Sequence, residues 1–117
     1  MVGGKAMIKM ESQKNNKKEN NEMIGKYVVV RADKAGVFAG ILKEKKGCTV
    51  TLTECRRLYY WCGALDTLTI ATSGVAAPEQ CKFSIECESI EINNVLEIIE
   101  CTNEGEKSIR GVEAWKM

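Results

Sequence analysis

The feature that most constrains this chain is a run of strand-forming residues between positions 27 and 61, broken only by short turns. Tyr27-Val28-Val29-Val30 is a β-branched block, the pattern of a strand buried on both faces. Asp33-Lys34-Ala35-Gly36 reads as a turn, Val37 to Lys45 as a second strand, and Lys46-Gly47 as another turn. From Cys48 to about Trp61 a third strand follows, with Val50 and Leu52 on one face and Thr49, Thr51 and Thr53 on the other. Three strands joined by tight turns predict a meander. Ala64 to Ser73 then predicts a helix, with Leu65, Leu68 and either Ala71 or Thr72 on its apolar face. Asp66 suits the positive end of its dipole and Gly74 its C-terminal stop. Pro78, the only proline, marks the following loop.

Lys82 to Ile92 and Val95 to Thr102 read as strands joined at Asn93-Asn94, which resembles a tight hairpin turn because Asn tolerates positive φ. Glu104 to Arg110 suits a helical turn and Val112 to Trp115 a closing strand. The expected architecture is mostly β with one α-helix, an antiparallel sheet or partial barrel in one domain over residues 25–117. Residues 1–24 form a separate N-terminal arm. Its centre, ESQKNNKKENNE, is polar and of low complexity, so it reads either as a solvated leader or as a helical arm pinned by Met7, Ile8, Met10, Met23 and Ile24.

The composition excludes whole classes of chemistry. The 117 residues contain no histidine, which removes Ser-His-Asp and Cys-His catalysis and every His-containing metal site. No apolar run approaches the length of a membrane span. The net charge of +1 conceals a polarity along the chain. Residues 1–57 hold 13 Lys/Arg against 6 Asp/Glu, a net of +7, whereas residues 58–117 hold 4 against 10, a net of −6. That balance argues against DNA or RNA polymers as ligands and leaves room for self-association and a local anion site. Six cysteines at spacings of 7, 7, 19, 6 and 14 form no CxxC pair. The N-terminus has no signal-peptide pattern, so they read as small buried hydrophobes in a reducing cytoplasm, with a redox or metal role as the alternative.

The segment richest in binding chemistry is Glu54-Cys55-Arg56-Arg57-Leu58-Tyr59-Tyr60-Trp61. On a strand, Arg57, Tyr59 and Trp61 share one face and Arg56, Leu58 and Tyr60 the other. A guanidinium beside two rings suits a ligand that carries both a phosphate and a planar base. An amphipathic core strand whose arginines pair with the acidic half explains the same residues. Ala35-Gly36-Val37-Phe38-Ala39-Gly40 lies between strands and does not open a helix, so it is no dinucleotide fingerprint, though its small residues permit close backbone approach. Lys82-Phe83-Ser84 adds another ring, and Ser108 with Arg110 another phosphate contact or an exposed solubilising turn. Glu86, Glu88 and Glu91 alternate with apolar residues as on a solvated strand face, and no nucleophile elbow is present. The chain is expected not to be an enzyme and to need no cofactor.

Tyr27-Val28-Val29-Val30-Arg31, Ala35 to Gly40, Arg56-Arg57-Leu58-Tyr59-Tyr60-Trp61, Cys81-Lys82-Phe83-Ser84, Ile98 to Thr102 and Trp115-Lys116 occur here in one order. Over residues 25–117 the chain thereby resembles the first-described Thoeris anti-defence family of bacteriophage cyclic-nucleotide sponges. The resemblance implies that the protein binds a cyclic ADP-ribose isomer made by TIR-domain enzymes and holds it intact in the cytoplasm of the infected host. For some relatives it also implies a separate site for cyclic di- or trinucleotides. It implies a homo-oligomer built from dimers, up to a hexamer, with pockets at subunit interfaces. Carried onto this chain, Arg57 and Arg110 meet the pyrophosphate, Phe83 stacks on the base and Asn93 hydrogen-bonds base or ribose. Ala35, Gly36, Val37 and Phe38 form a close wall; Tyr59 and Trp61 are added to the expected site by the strand-face reading above. An enzyme degrading the same signal, or a structural or inhibitor protein of the phage, are the alternatives.

Overall fold

The computed structural model describes residues 22–116. The arm expected over residues 1–24 therefore lies outside the described residues except for its last three, Glu22, Met23 and Ile24. Strands β1 (Tyr27–Ala32), β2 (Gly36–Lys46) and β3 (Thr49–Tyr60) form the expected antiparallel meander. Helix α1 (Thr67–Ser73) and a 3-10 turn (Pro78–Gln80) follow. Two short strands, β4 (Lys82–Phe83) and β5 (Cys87–Ile92), replace the single strand expected there, and β6 (Val95–Glu100) and helix α2 (Asn103–Gly111) complete the fold. The fold is mostly β with two helices, one more than expected. Only an isolated bridge between Phe83 and Ala114 stands where a closing strand was expected. No described helix is long and apolar enough to cross a membrane.

The pairing determines the shape. β3 carries β2 along one edge, while its other edge is shared between β5 near the start and β4 near the end. β6 pairs with β1. The order is thus β5-β3-β2-β1-β6, so β5 and β6 stand at opposite edges although only Asn93 and Asn94 separate them. Four steps between strands cover roughly 19 Å in a flat sheet. The three Cα–Cα steps from Ile92 to Val95 reach at most about 11 Å. A flat sheet is excluded, and the sheet curls until its edges meet at this connection. The expected β5–β6 hairpin is corrected accordingly: no ladder joins the two strands among the described residues. Asn94 takes a φ of 57°, its carbonyl accepts from the Asp33 N–H at 2.9 Å, and the Val95 N–H donates to the Cys48 carbonyl at 2.9 Å.

Curling creates two apolar compartments. The concave face encloses Val28, Val30, Phe38, Leu42, Val50, Leu52 and Ile92. The convex face carries Tyr27, Val29, Ala39 and Leu58, covered by Ile70 and Ala71 of α1, Ile109 of α2, Val112 and Phe83. β1 is buried on both sides because it lies between these compartments. α1 starts at Thr67 and not Ala64, since Asp66 is extended and caps it, accepting from the Thr69 N–H at 3.0 Å. Leu65 and Leu68 are exposed at 88% and 58%. This short helix turns only Ile70 and Ala71 inward, so the expected apolar face is corrected.

Gly40 of β2 lies close against β3. A Cβ there would lie 2.9 Å from the Thr53 carbonyl oxygen and 3.0 Å from the Cys55 Cα, beside Glu54, whose φ is 50°. Its smallness serves strand contact and not ligand contact. Gly40→Ala should therefore cost about 1–3 kcal/mol in urea unfolding. The Tyr27 hydroxyl, by contrast, is buried without a hydrogen-bond partner, and burial holds its pKa above the usual phenol range. Tyr27→Phe should lose no more than about 0.5 kcal/mol in the same assay, because nothing bonded is removed.

Candidate functional site: an unneutralised arginine on the concave face

Glu54 divides β3 into two phases. Before it, even positions face inward (Val50, Leu52); after it, Cys55 does, because an extra residue in a strand reverses which side each later side chain takes. Arg57 is thereby placed on the concave side and Arg56 beneath the helices.

The two neighbouring arginines have opposite roles. Arg56 is 6% exposed. Its Nη1 donates to the carbonyls of Ile109 and Val112, both at 2.8 Å, and its Nε donates to the Ser84 carbonyl at 2.9 Å. The guanidinium lies 5.5 Å from the Phe83 ring centroid. Burial lowers its pKa. The negative end of the α2 dipole, where two of these carbonyls lie, offsets that penalty. Arg56 is a strut between β3, α2 and the β4 loop.

Arg57 has no such partners. Its guanidinium stacks 4.8 Å from the Phe38 ring centroid, and its Nε is buried with no hydrogen-bond partner. Among the described residues no carboxylate forms an ion pair with it, whereas Arg31 pairs with Glu97 and Arg110 with three glutamates. Arg57 lines a cleft of about 360 Å³ together with Ala35, Phe38, Ile90, Asn93 and Asn94. The Asn93 Oδ1 accepts from Thr49 Oγ1 at 3.0 Å, which leaves the amide NH2 as a donor. Lys34 adds a cation to the rim, and Asp33 and Glu91 add carboxylates. A smaller adjoining cleft of about 150 Å³ shares Phe38 and Arg57 and adds Tyr59. The arrangement can take an anionic group against Arg57, with flat apolar surface and an amide donor beside it.

Four of the expected ligand residues, Ala35, Phe38, Arg57 and Asn93, thus converge on one cleft, and Tyr59 adjoins it. The others do not join them. Phe83 is fully buried beneath Arg56, so its ring fills core and presents no face to a ligand. Val37 alternates with Phe38 and packs on the convex side, as does Trp61, which lies past the end of β3. Gly36 has a φ of 105° and serves the β1–β2 turn. Arg110 also belongs to the convex side, 4.6 Å over the Tyr27 ring. Its Nη1 lies 2.9 Å from Glu54 and 3.4 Å from Glu86, and its Nε 2.8 Å from Glu106. Within one chain the sheet separates Arg57 from Arg110. Sequence reasoning missed Lys34 and Asn94, which share turns with Ala35 and Asn93 and take positive φ. The turns themselves are legible in the sequence; that the two meet at one cleft is decided by pairing between distant strands. Among the described residues no three His, Cys, Asp or Glu side chains converge as metal ligands.

The contrast between the arginines is measurable. Arg56→Ala removes three hydrogen bonds to carbonyls, two of them buried, and should cost about 2–4 kcal/mol by urea unfolding. Arg57→Ala should change stability by less than about 1 kcal/mol, since only the Phe38 stack is lost.

No curated protein and no solved structure gives a significant match to this sequence. A model of a domain family of unknown function, DUF6948, matches residues 25–109. That span runs from the turn before β1 into α2, covers more than half the chain and includes every residue of the Arg57 cleft, so the chain belongs to the DUF6948 family.

Proposed function

We propose that this protein is a bacteriophage anti-defence sponge, which binds a cyclic ADP-ribose isomer made by TIR-domain enzymes and holds it without cleaving it. The observation that carries this reading is Arg57: a cation with no ion pair among the described residues, over an aromatic ring, in a cleft that also holds an amide donor. A pyrophosphate supplies the missing charge through charge-assisted hydrogen bonds. A purine needs an aromatic face and an amide edge, and half-exposed Tyr59 takes the stacking role that buried Phe83 does not. The motif resemblance over residues 25–117 supports the same ligand class.

Arg110 enters such a site only from a second copy, because the sheet stands between it and Arg57 in one chain. Its three carboxylates form a negative cluster around it, and a pyrophosphate would have to displace at least one. Exposed Tyr59 and Ile85, which line the smaller cleft, and Trp115, whose ring centroid lies 6.1 Å from that of Tyr59, suit a subunit contact, in keeping with a homo-oligomer built from dimers in the host cytoplasm.

The decisive experiment incubates the protein with the product of a TIR-domain enzyme, removes free ligand, heat-denatures the protein and identifies what is released. Intact signal is expected. Breakdown products alone would point to a degrading enzyme, and no retained ligand to a structural or inhibitor protein. Arg57→Ala should weaken retention roughly 30-fold or more, the loss of one charge-assisted contact of about 2 kcal/mol.

A further inference from the structure

β5 lies at the sheet edge and ends at Ile92, next to Asn93, so its attachment to β3 positions one wall of the cleft. Along that ladder Cys55 stands directly opposite Cys87. Directly opposed residues in an antiparallel pair have Cα atoms roughly 4.5–5.5 Å apart. That separation lies within the range a disulfide spans without backbone movement. The Cys87 thiol lies near enough to help hold the Cys55 pKa up. Both are free, Cys55 buried and Cys87 half-buried, and both line the smaller cleft with Arg57 and Ile90.

We propose that Cys55 and Cys87 form an oxidisable pair, a covalent modification site at which a small hydroperoxide closes a cross-strand disulfide behind Arg57. Cys87 reacts first because it is the more exposed. Its thiolate sulfur attacks the peroxide, an S–O bond forms, the O–O bond breaks, and the departing oxygen leaves as water or alcohol after taking a proton. The Cys55 sulfur then attacks the Cys87 sulfenic acid. An S–S bond forms, the S–O bond breaks, and the leaving hydroxide takes the Cys55 proton as water. Two electrons pass from the thiols to the peroxide.

The environment assigns the order of events. Burial pushes the Cys55 thiol up to about 12, the neighbouring Cys87 adds to this, and the Arg57 charge opposes it. Cys55 is thus inert towards solvent oxidants, and it is its place directly opposite Cys87 that lets it intercept a sulfenic acid there. The bond would fasten the edge strand β5 to its neighbour β3 and limit how far the Asn93 wall can move from Arg57. The proposal goes beyond ligand binding, and its test requires no nucleotide.

Treat the reduced full-length protein with hydrogen peroxide, block remaining thiols, and map linked peptides by mass spectrometry. A Cys55–Cys87 link is expected, with the mass loss of two hydrogens and a melting temperature roughly 10 °C above the reduced form. Cys87→Ser should abolish both the link and the shift. Should that variant fold poorly, Cys62→Ser leaves the pair intact and must still form it. A link confined to Cys62 and Cys81, a link only between chains, or Cys87 stalled as sulfenic or sulfinic acid would each overturn the proposal.

Discussion

The structure depends on one geometric constraint, the two residues that carry the chain from one edge of the sheet to the other. Ile92 ends the strand on β3 and Val95 starts the strand on β1, with only Asn93 and Asn94 between them. That reach is shorter than a flat sheet is wide, so the sheet curls. Curling provides an interior for Val28, Val30, Leu42, Val50 and Leu52, and an outer face wide enough for both helices. It also brings the β1–β2 turn beside the β5–β6 connection, which is why Ala35 and Asn93 share a cleft.

The second determinant is the phase change at Glu54. One residue in a left-handed conformation, accommodated by the missing side chain of Gly40, reverses the inward and outward faces of the rest of β3. Arg56 is turned under the helices, where three carbonyls satisfy it. Arg57 is turned to the concave side, where ring and cleft surround it and no carboxylate among the described residues forms an ion pair with it. Adjacent and chemically identical side chains become a structural strut and a candidate anion contact through that one displacement.

Much of the fold was legible in local pattern. The block at Tyr27–Val30, the alternation at Thr49–Thr53 and the turns at Asp33–Gly36 and Lys46–Gly47 specify three strands and their meander. Gly74 marks the end of α1, and its N–H bonds the Ile70 carbonyl at 2.9 Å. The errors share a cause. Asn93-Asn94 has the composition of a hairpin turn, but the edges of β1 and β3 attract β6 and β5 separately, a choice of non-local partners. Leu68 has helical spacing, yet a seven-residue helix presents only the face that its neighbours cover. Within the site, Arg57 was legible as a cation suited to an anionic group and Ala35 as a small residue, whereas Phe38 and Asn93 entered with the family resemblance; the fold brings the four to one cleft. Phe83 and Arg110 were not assignable, because burial under Arg56 and capture by three glutamates arise from packing.

By itself the sequence determined the strand-rich class, the helix stop, the absence of histidine chemistry and the concentration of arginine beside aromatic residues. These follow from covalent composition and from the period of two that a strand imposes on its side chains. The tertiary structure alone decided which arginine is buried, which face each ring joins and which turns meet. Those outcomes depend on a bulge and on pairing between distant strands, where the free energy lies in contacts between segments and not in any one of them.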